Sequence, residues 1–393
     1  VRTLPSPNPL PEGEGFTTGI ITIKERNTMV AKAVWALGLM SGTSLDGIDA
    51  ALIRTDGEQV FERGAWLVEP LPDALRQEIR HSMHDMGDWL ELEKKITLLH
   101  VEAVKKLLHK AGMSAKDISV IGFHGQTITH RPKEQLGFQL GNGALLAEKT
   151  RINVVNDFRR RDLAAGGEGA PLVPLYHAAL VAKMDLPLAV LNIGGIANVT
   201  WIGCSENVCD RLLEHDIIAF DTGAGNVLLN EWAYATYGLE CDEGGRLAAA
   251  GQVDEEILAK YLAHPFFLRH PPKSLDRNDF NIDLLKNLSA EDAAATLVAF
   301  TAESIQQAQA HFPAPVSHWL VAGGGRHNPT IMQALRTRLG KVEPVESVGW
   351  EGDALEAQAF AYLAVRSMLR LPLSLPTTTG ANRAVTGGAF YGV

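Results

Sequence analysis

One arrangement occurs twice in this chain: an apolar run, a turn of glycine and small polar residues, then a returning apolar strand. It appears first in residues 34–57 (VWALGLMSGTSLDGIDAALIRTDG) and again from Leu188 (LAVLNIGGIANVTWIG). The repeat is one of pattern rather than residue identity, and it predicts two related halves. Residues 73–111 show helical spacing, with Leu92, Ile96, Leu99, Ala103 and Leu107 three and four apart and Ala111-Gly112 closing the pattern. SVIGFHGQT reads as a short buried strand running into a loop, and residues 151–175 as a strand followed by a long glycine-rich loop. IIAFDTGAGNVLLNEW gives strand, turn and helix, helices continue to about Ala310, and HWLVAGGGRHNPTIMQAL gives a strand, three glycines and a helix. A last helix, about 354–369, precedes a Pro- and Thr-rich tail. Strands alternating with helices predict an α/β chain.

Composition narrows the function. The 393 residues carry 36 Lys+Arg against 46 Asp+Glu, a net charge of −10. That balance lacks the electrostatic footprint of a nucleic-acid or anionic-membrane binder and favours a small ligand. Cys204, Cys209 and Cys241 are too few for a disulfide framework and match no four-ligand zinc spacing, which fits a reducing cytoplasm. The longest uncharged run, residues 186–205, holds Pro187, a Gly-Gly pair and two asparagines and reads as two short strands around a turn, not a membrane span. Residues 1–28 are rich in Pro, Gly and charge, lack a signal-peptide core and precede Met29; they read as a dispensable extension.

Four glycine-rich turns follow apolar strands: residues 40–47 (MSGTSLDG), 192–195 (NIGG), 221–226 (DTGAGN) and 322–325 (AGGG). Glycines let backbone amides approach phosphate oxygens, although turns need glycine in any case. Neither a P-loop nor a strand-borne GxGxxG is present. In the first turn, Ser41, Thr43 and Ser44 supply hydroxyls and Asp46 an anion, which suits phosphate with Mg²⁺ held through a bridging water; the same residues also read as a hairpin whose Asp-Gly pair makes the turn. Asp221 ends an apolar stretch before a turn and helix, where it suits either an N-cap or a general base. Arg159, Arg160 and Arg161 lie between Asp157 and Asp162, as in an exposed, mutually ion-paired loop.

LGLMSGTSLDGIDAAL, IGFHGQT, DFRRRDLAAGGEGAPLVP, LNIGGIANV, FDTGAGNVLLNEW and VAGGGRHNP, in this order, closely resemble the anhydro-N-acetylmuramic acid kinases of bacterial cell-wall recycling. The resemblance spans about Ala36 to the C-terminus. It implies an actin, hexokinase and Hsp70 type of fold, two α/β domains closing on ATP. Domain I would comprise residues 29–185 joined by 370–393, and domain II residues 186–369. The implied reaction converts ATP, water and 1,6-anhydro-N-acetylmuramic acid to ADP and N-acetylmuramic acid 6-phosphate, in a cytoplasmic enzyme that is a homodimer and binds neither nucleic acid nor membrane. Asp221 then matches the catalytic base. Ser41, Gly42, Thr43, Ser44, Leu45, Asp46, Gly47, Ile48 and Asp49, with Gly194, Gly195, Gly323, Gly324 and Gly325, match nucleotide positions, Asp46 serving Mg²⁺. His124, Gln126, Arg161 and Glu356 match sugar-contacting positions, Arg161 toward the lactyl carboxylate. The rival readings are a kinase of another anhydro-sugar such as levoglucosan, and a non-catalytic nucleotide-binding module of the actin or Hsp70 kind.

Overall fold

The run from Val34 to Ser41 becomes buried on both faces from its third residue onward, the signature of a strand covered by helices on either side. It is the first strand, β1, of the computed structural model, which describes residues 32–42, 45–82, 89–203, 214–275 and 279–393. The expected extension 1–28, Thr43, Ser44, Cys204 and Cys209 lie outside the described residues.

β2 (Gly47–Thr55) and β3 (Val60–Pro70) follow β1 antiparallel, while β4 (Val120–Arg131) and β6 (Val154–Asn156) join parallel on the other side and β5 (Leu136–Leu140) returns along β4. The second sheet comprises β7 (Leu188–Ile193), β8 (Ile196–Ile202), β9 (Ile217–Ala224), β10 (His318–Ala322) and β11 (Val342–Pro344), in the order β11-β10-β7-β8-β9. β8 runs antiparallel to both β7 and β9, and β10 and β11 run parallel to β7. The first sheet, completed by β12 (Ala389–Tyr391), runs β12-β6-β4-β1-β2-β3. Strand for strand, β1, β2, β3, β4 and β6 correspond to β7, β8, β9, β10 and β11, so the pattern repeat is a topological duplication. The chain is an α/β protein whose two sheets share one strand order.

The helices are α1 (Asp73–Ser82), α2 (Trp89–Ala111), α3 (Gly143–Thr150), α4 (Arg160–Ala164), α5 (Pro174–Val181), α6 (Val227–Tyr237), α7 (Arg246–Ala250), α8 (Glu255–Leu262), α9 (Ala290–Ala308), α10 (Pro329–Leu339), α11 (Leu355–Met368) and α12 (Pro376–Thr379). One apolar core joins α2 and α3 to the first sheet and another joins α6, α9 and α10 to the second. A third core, with α5 and α11, contains residues of both sheets.

α11 lies against β1, β2 and β4 of the first sheet, within the core that also takes in residues of the second. Its seat is built by Gly38 and Gly122, paired side by side on adjacent parallel strands. A methyl group on Gly38 would overlap the carbonyl of Ala357, and one on Gly122 that of Phe360, so helix backbone rests directly on sheet backbone.

Other differences are local. The helical region 73–111 is two helices, with residues 83–88 outside those described. β4 does not stop at HGQT but runs on to Arg131 through an irregularity at 124–125, where Gly125 adopts φ +75° and a side chain would meet the Leu140 carbonyl. The glycine-rich stretch after β6 contains α4 and leads into α5, so it is less irregular than expected.

Gly38→Ala is expected to destabilise the fold by at least the ~1–3 kcal/mol typical of an overpacked core, read as a lower urea midpoint at unchanged m-value.

Candidate functional site

In open α/β sheets ligands meet the carboxyl ends of the strands, and the glycine turns after β1, β7 and β10 leave such ends. The turn after β1 spans residues 42–46 and Gly47 already opens β2, so a two-residue Asp-Gly hairpin is not what forms here. Its flanks are structural: Leu45 and Ile48 are buried in the core of the first half, and a side chain on Gly47 would press on Val68 and Glu69. Leu45 and Ile48 can therefore address a ligand only through backbone. Ser41 and Gln126, expected at nucleotide and sugar, are instead buried on each other: Ser41 Oγ donates to Gln126 Oε1 at 2.6 Å, and Gln126 Nε2 donates to the Gly42 carbonyl at 3.3 Å. Gln126 thus fastens the turn to β4. Asp46 is exposed, and Asp49 is half-buried beside it.

In the second half, the carbonyls of Gly194 and Gly195 accept from the N–H groups of Gly225, Asn226 and Val227, docking the NIGG turn onto the start of α6. Glycines here divide into two kinds. A methyl group on Gly323 or Gly325 would strike Asn192 or Ile193, so these are required by packing. On Gly194, Gly195 or Gly324 it would meet nothing closer than 3.6 Å, leaving space beside the backbone that a ligand could fill. Arg326 holds this region together from a buried position, donating to Glu346 Oε1 at 2.8 Å, the Gly323 carbonyl at 2.9 Å and Asp353 Oδ1 at 2.7 Å.

Asp221 sits inside β9, and α6 begins at Val227 with Asn226 at its N-cap position, so Asp221 caps no helix. Its N–H donates to the Lys273 carbonyl at 3.0 Å and its Oδ2 accepts from the Leu275 N–H at 2.9 Å. Burial pushes its pKa up to about 7; the Leu275 amide, Arg269 and Lys273 oppose the rise and Glu168 adds to it. The Lys273 ammonium lies 4.6 Å from the Phe266 ring centroid, and burial, with Arg269, lowers it to about 8.

Across from this, the arginine triplet separates by role. Arg160 pairs with Asp157 at 3.0 Å and Arg161 is exposed, while Arg159 turns inward. Arg159 Nε donates to His124 Nε2 at 3.0 Å and Nη1 to the Gly169 carbonyl at 2.7 Å. Because an arginine cannot accept, His124 must carry its proton on Nδ1, which donates to the Gly125 carbonyl at 2.7 Å. Burial and the Arg159 cation hold His124 well below its usual pKa, so it is a neutral prop with both nitrogens committed. Glu356, in the first turn of α11, accepts from Asn192 Nδ2 of β7 at 3.4 Å, joining the halves. Burial raises its pKa against the pull of Arg159. Asp49 is pushed up to about 7 by burial, then by Glu356, Asp353 and Asp46.

The sequence reading did not single out Arg159, Asn192, Asp162, Arg326 or Lys273. Asp162 is buried and accepts from the Gly169 N–H at 2.8 Å, from Thr379 Oγ1 at 2.7 Å and from Ser374 Oγ, tying the glycine-rich loop to the C-terminal tail. The one available signal was position: Asn192 and Arg159 lie within motifs already recognised.

A family model described as anhydro-N-acetylmuramic acid kinase matches residues 34–393. A Rhodospirillum rubrum protein named anhydro-N-acetylmuramic acid kinase is 50% identical over 365 residues, covering 91% of this chain and 94% of its own length. Proteins of the same name from Paramagnetospirillum magneticum and Zymomonas mobilis are 51% and 47% identical, each covering 91% of this chain and 99% of their own length. With a family model matching residues 34–393 and 50% identity across 91% of this chain, the chain belongs to the anhydro-N-acetylmuramic acid kinase family.

Proposed function

We propose that this kinase uses ATP and water to open 1,6-anhydro-N-acetylmuramic acid and phosphorylate its O6, giving N-acetylmuramic acid 6-phosphate and ADP in peptidoglycan recycling. The observation that carries the mechanism is Asp221: a strand-borne carboxylate that caps nothing, is gripped by one backbone amide and is poised to exchange a proton near neutral pH. Such a group suits general-base removal of a proton from the water attacking C1. The attack breaks the C1–O6 bond, and the released O6 takes the γ-phosphoryl group. Glu356, Asn192 and Arg159 form the polar wall proposed for the sugar, with exposed Arg161 available to the lactyl carboxylate and His124 supporting Arg159 from behind.

The glycine spacing supports ATP on the second half, since the space beside Gly194, Gly195 and Gly324 admits phosphate or ribose to their amides. Phosphoryl transfer is chiefly positioning and charge stabilisation. Among the described residues no group of three or more His, Cys, Asp or Glu side chains is placed to hold a metal ion. Mg²⁺ that keeps most of its waters needs only a carboxylate nearby, and the mutual repulsion of Asp46, Asp49, Asp353 and Glu356 makes this region favourable for a cation. Bound there, Mg²⁺ would neutralise phosphate charge. A cytoplasmic location and a homodimeric state complete this reading; among the described residues no helix is long and apolar enough to cross a membrane.

The reading is tested by sugar-dependent ADP release across a panel of anhydro and open sugars; turnover of levoglucosan without turnover of the muramic compound would overturn it. Asp221→Asn is expected to fold and bind ATP while losing about 10²–10⁴-fold in turnover. Because the base works deprotonated, native kcat/KM should fall as pH drops through about 7. The opposite sign holds for stability: a pKa raised on folding favours the fold at low pH, so native stability relative to Asp221→Asn should decline as pH rises from about 4 to 7. Gly195→Ala should leave the unfolding midpoint nearly unmoved but weaken ATP binding, seen by calorimetry. In ¹⁸O-water the label should appear on C1, analysed before anomeric exchange, and not in the phosphoryl group.

A further inference from the structure

We propose that Glu168 is a positioning residue that reaches from the glycine-rich loop to Ser274 and thereby fixes residues 273–275, the segment whose backbone holds Asp221. This rests on the role assigned to Asp221 above. Ser274 Oγ donates to Glu168 Oε2 at 2.5 Å, and Arg269 approaches Glu168 Oε1 at 4.0 Å. On either side of Ser274, the Lys273 carbonyl accepts from the Asp221 N–H and the Leu275 N–H donates to Asp221 Oδ2. The segment therefore has one side-chain anchor in the first half and two backbone bonds to the base in the second. Glu168 is itself well anchored: its N–H donates to the Thr379 carbonyl at 2.7 Å, and the loop around it is tied down through Asp162. A slip of this segment moves the base relative to the sugar, and small displacements of reacting groups are costly.

The charge of Glu168 has a second effect on the same carboxylate. Among the described residues, the ionisable groups facing Asp221 are Glu168 from the loop and Arg269 and Lys273 from the neighbouring segment, with His311 and, behind it, His270 beyond Lys273. Glu168 is the only anion among these, so removing its charge while keeping its oxygen separates electrostatics from anchoring.

The test uses the full chain with Glu168→Ala, Glu168→Gln, Ser274→Ala and the Ala/Ala double variant. Each single alanine variant is expected to lose roughly ten- to a hundredfold in kcat with KM for the sugar little changed, and the double variant to lose no more than the worse single one. Glu168→Gln, which still accepts from Ser274, should restore most of the kcat and move the acid limb of the pH profile to lower pH. Amide exchange of residues 273–275 should accelerate in Glu168→Ala but not in Glu168→Gln. Additive losses in the double variant, or unchanged exchange in Glu168→Ala, would overturn the proposal. Accelerated exchange in Glu168→Ala, together with no sugar-dependent turnover in the native protein, would support the anchoring and overturn the substrate reading instead.

Discussion

The contact on which the rest depends is the seating of α11 on Gly38 and Gly122. Helices normally stand off a sheet by the depth of two side chains; here the backbone of Ala357 and Phe360 lies against strand backbone. The helix is correspondingly rich in alanine, at 357, 359, 361 and 364, and its larger residues go where space remains. Phe360 packs against His124 with ring centroids 4.6 Å apart and against Phe158 at 5.3 Å. The depth of this seat fixes the first turn of the helix, and with it Glu356, at the face where β7 presents Asn192.

Buried charges around the site fall into two groups with opposite behaviour. Asp162 and Arg326 are surrounded by partners that satisfy them, and each joins segments apart in sequence: the glycine-rich loop to the tail, and the fourth glycine turn to Glu346 and Asp353. Removing either partner of such an arrangement would leave an uncompensated buried charge. Asp221, Asp49 and Glu356 are under-compensated by comparison, and all three are displaced toward the protonated form. Groups held away from their ordinary ionisation are a physical mark of sites that handle protons or bind cations.

Sequence periodicity resolved the strands, the duplicated order and the alternation with helices because each is a local pattern. It could not place α11, whose partner strands lie more than two hundred residues away and whose pairing is signalled only by two glycines that look like ordinary turn formers. Nor could it sort Arg159 from Arg161: three identical residues in a row diverge only once α4 begins at Arg160 and turns the triplet. The residues around Asp221 suit a helix cap as well as a base, and only the continuation of the strand past it to Ala224 removes the cap. The motif that marks His124 and Gln126 says nothing of their bonding, which only the fold supplies: His124 is bonded to Gly125 and Arg159, and Gln126 to Ser41 and Gly42.

The anchoring of Glu356 and of Glu168 has a common geometric result. One rides a helix seated on the first sheet; the other sits in a loop tied through Asp162 and Thr379 to a tail that ends in β12 of that same sheet. Asp221 and Asn192 belong to the second sheet. Any hinge rotation between the halves must therefore carry the two glutamates as one rigid jaw against the other two residues, so the site has few independent degrees of freedom. An angular error would shift all its cross-cleft contacts together, making alignment a collective property of the two bodies rather than a sum of separate side-chain adjustments.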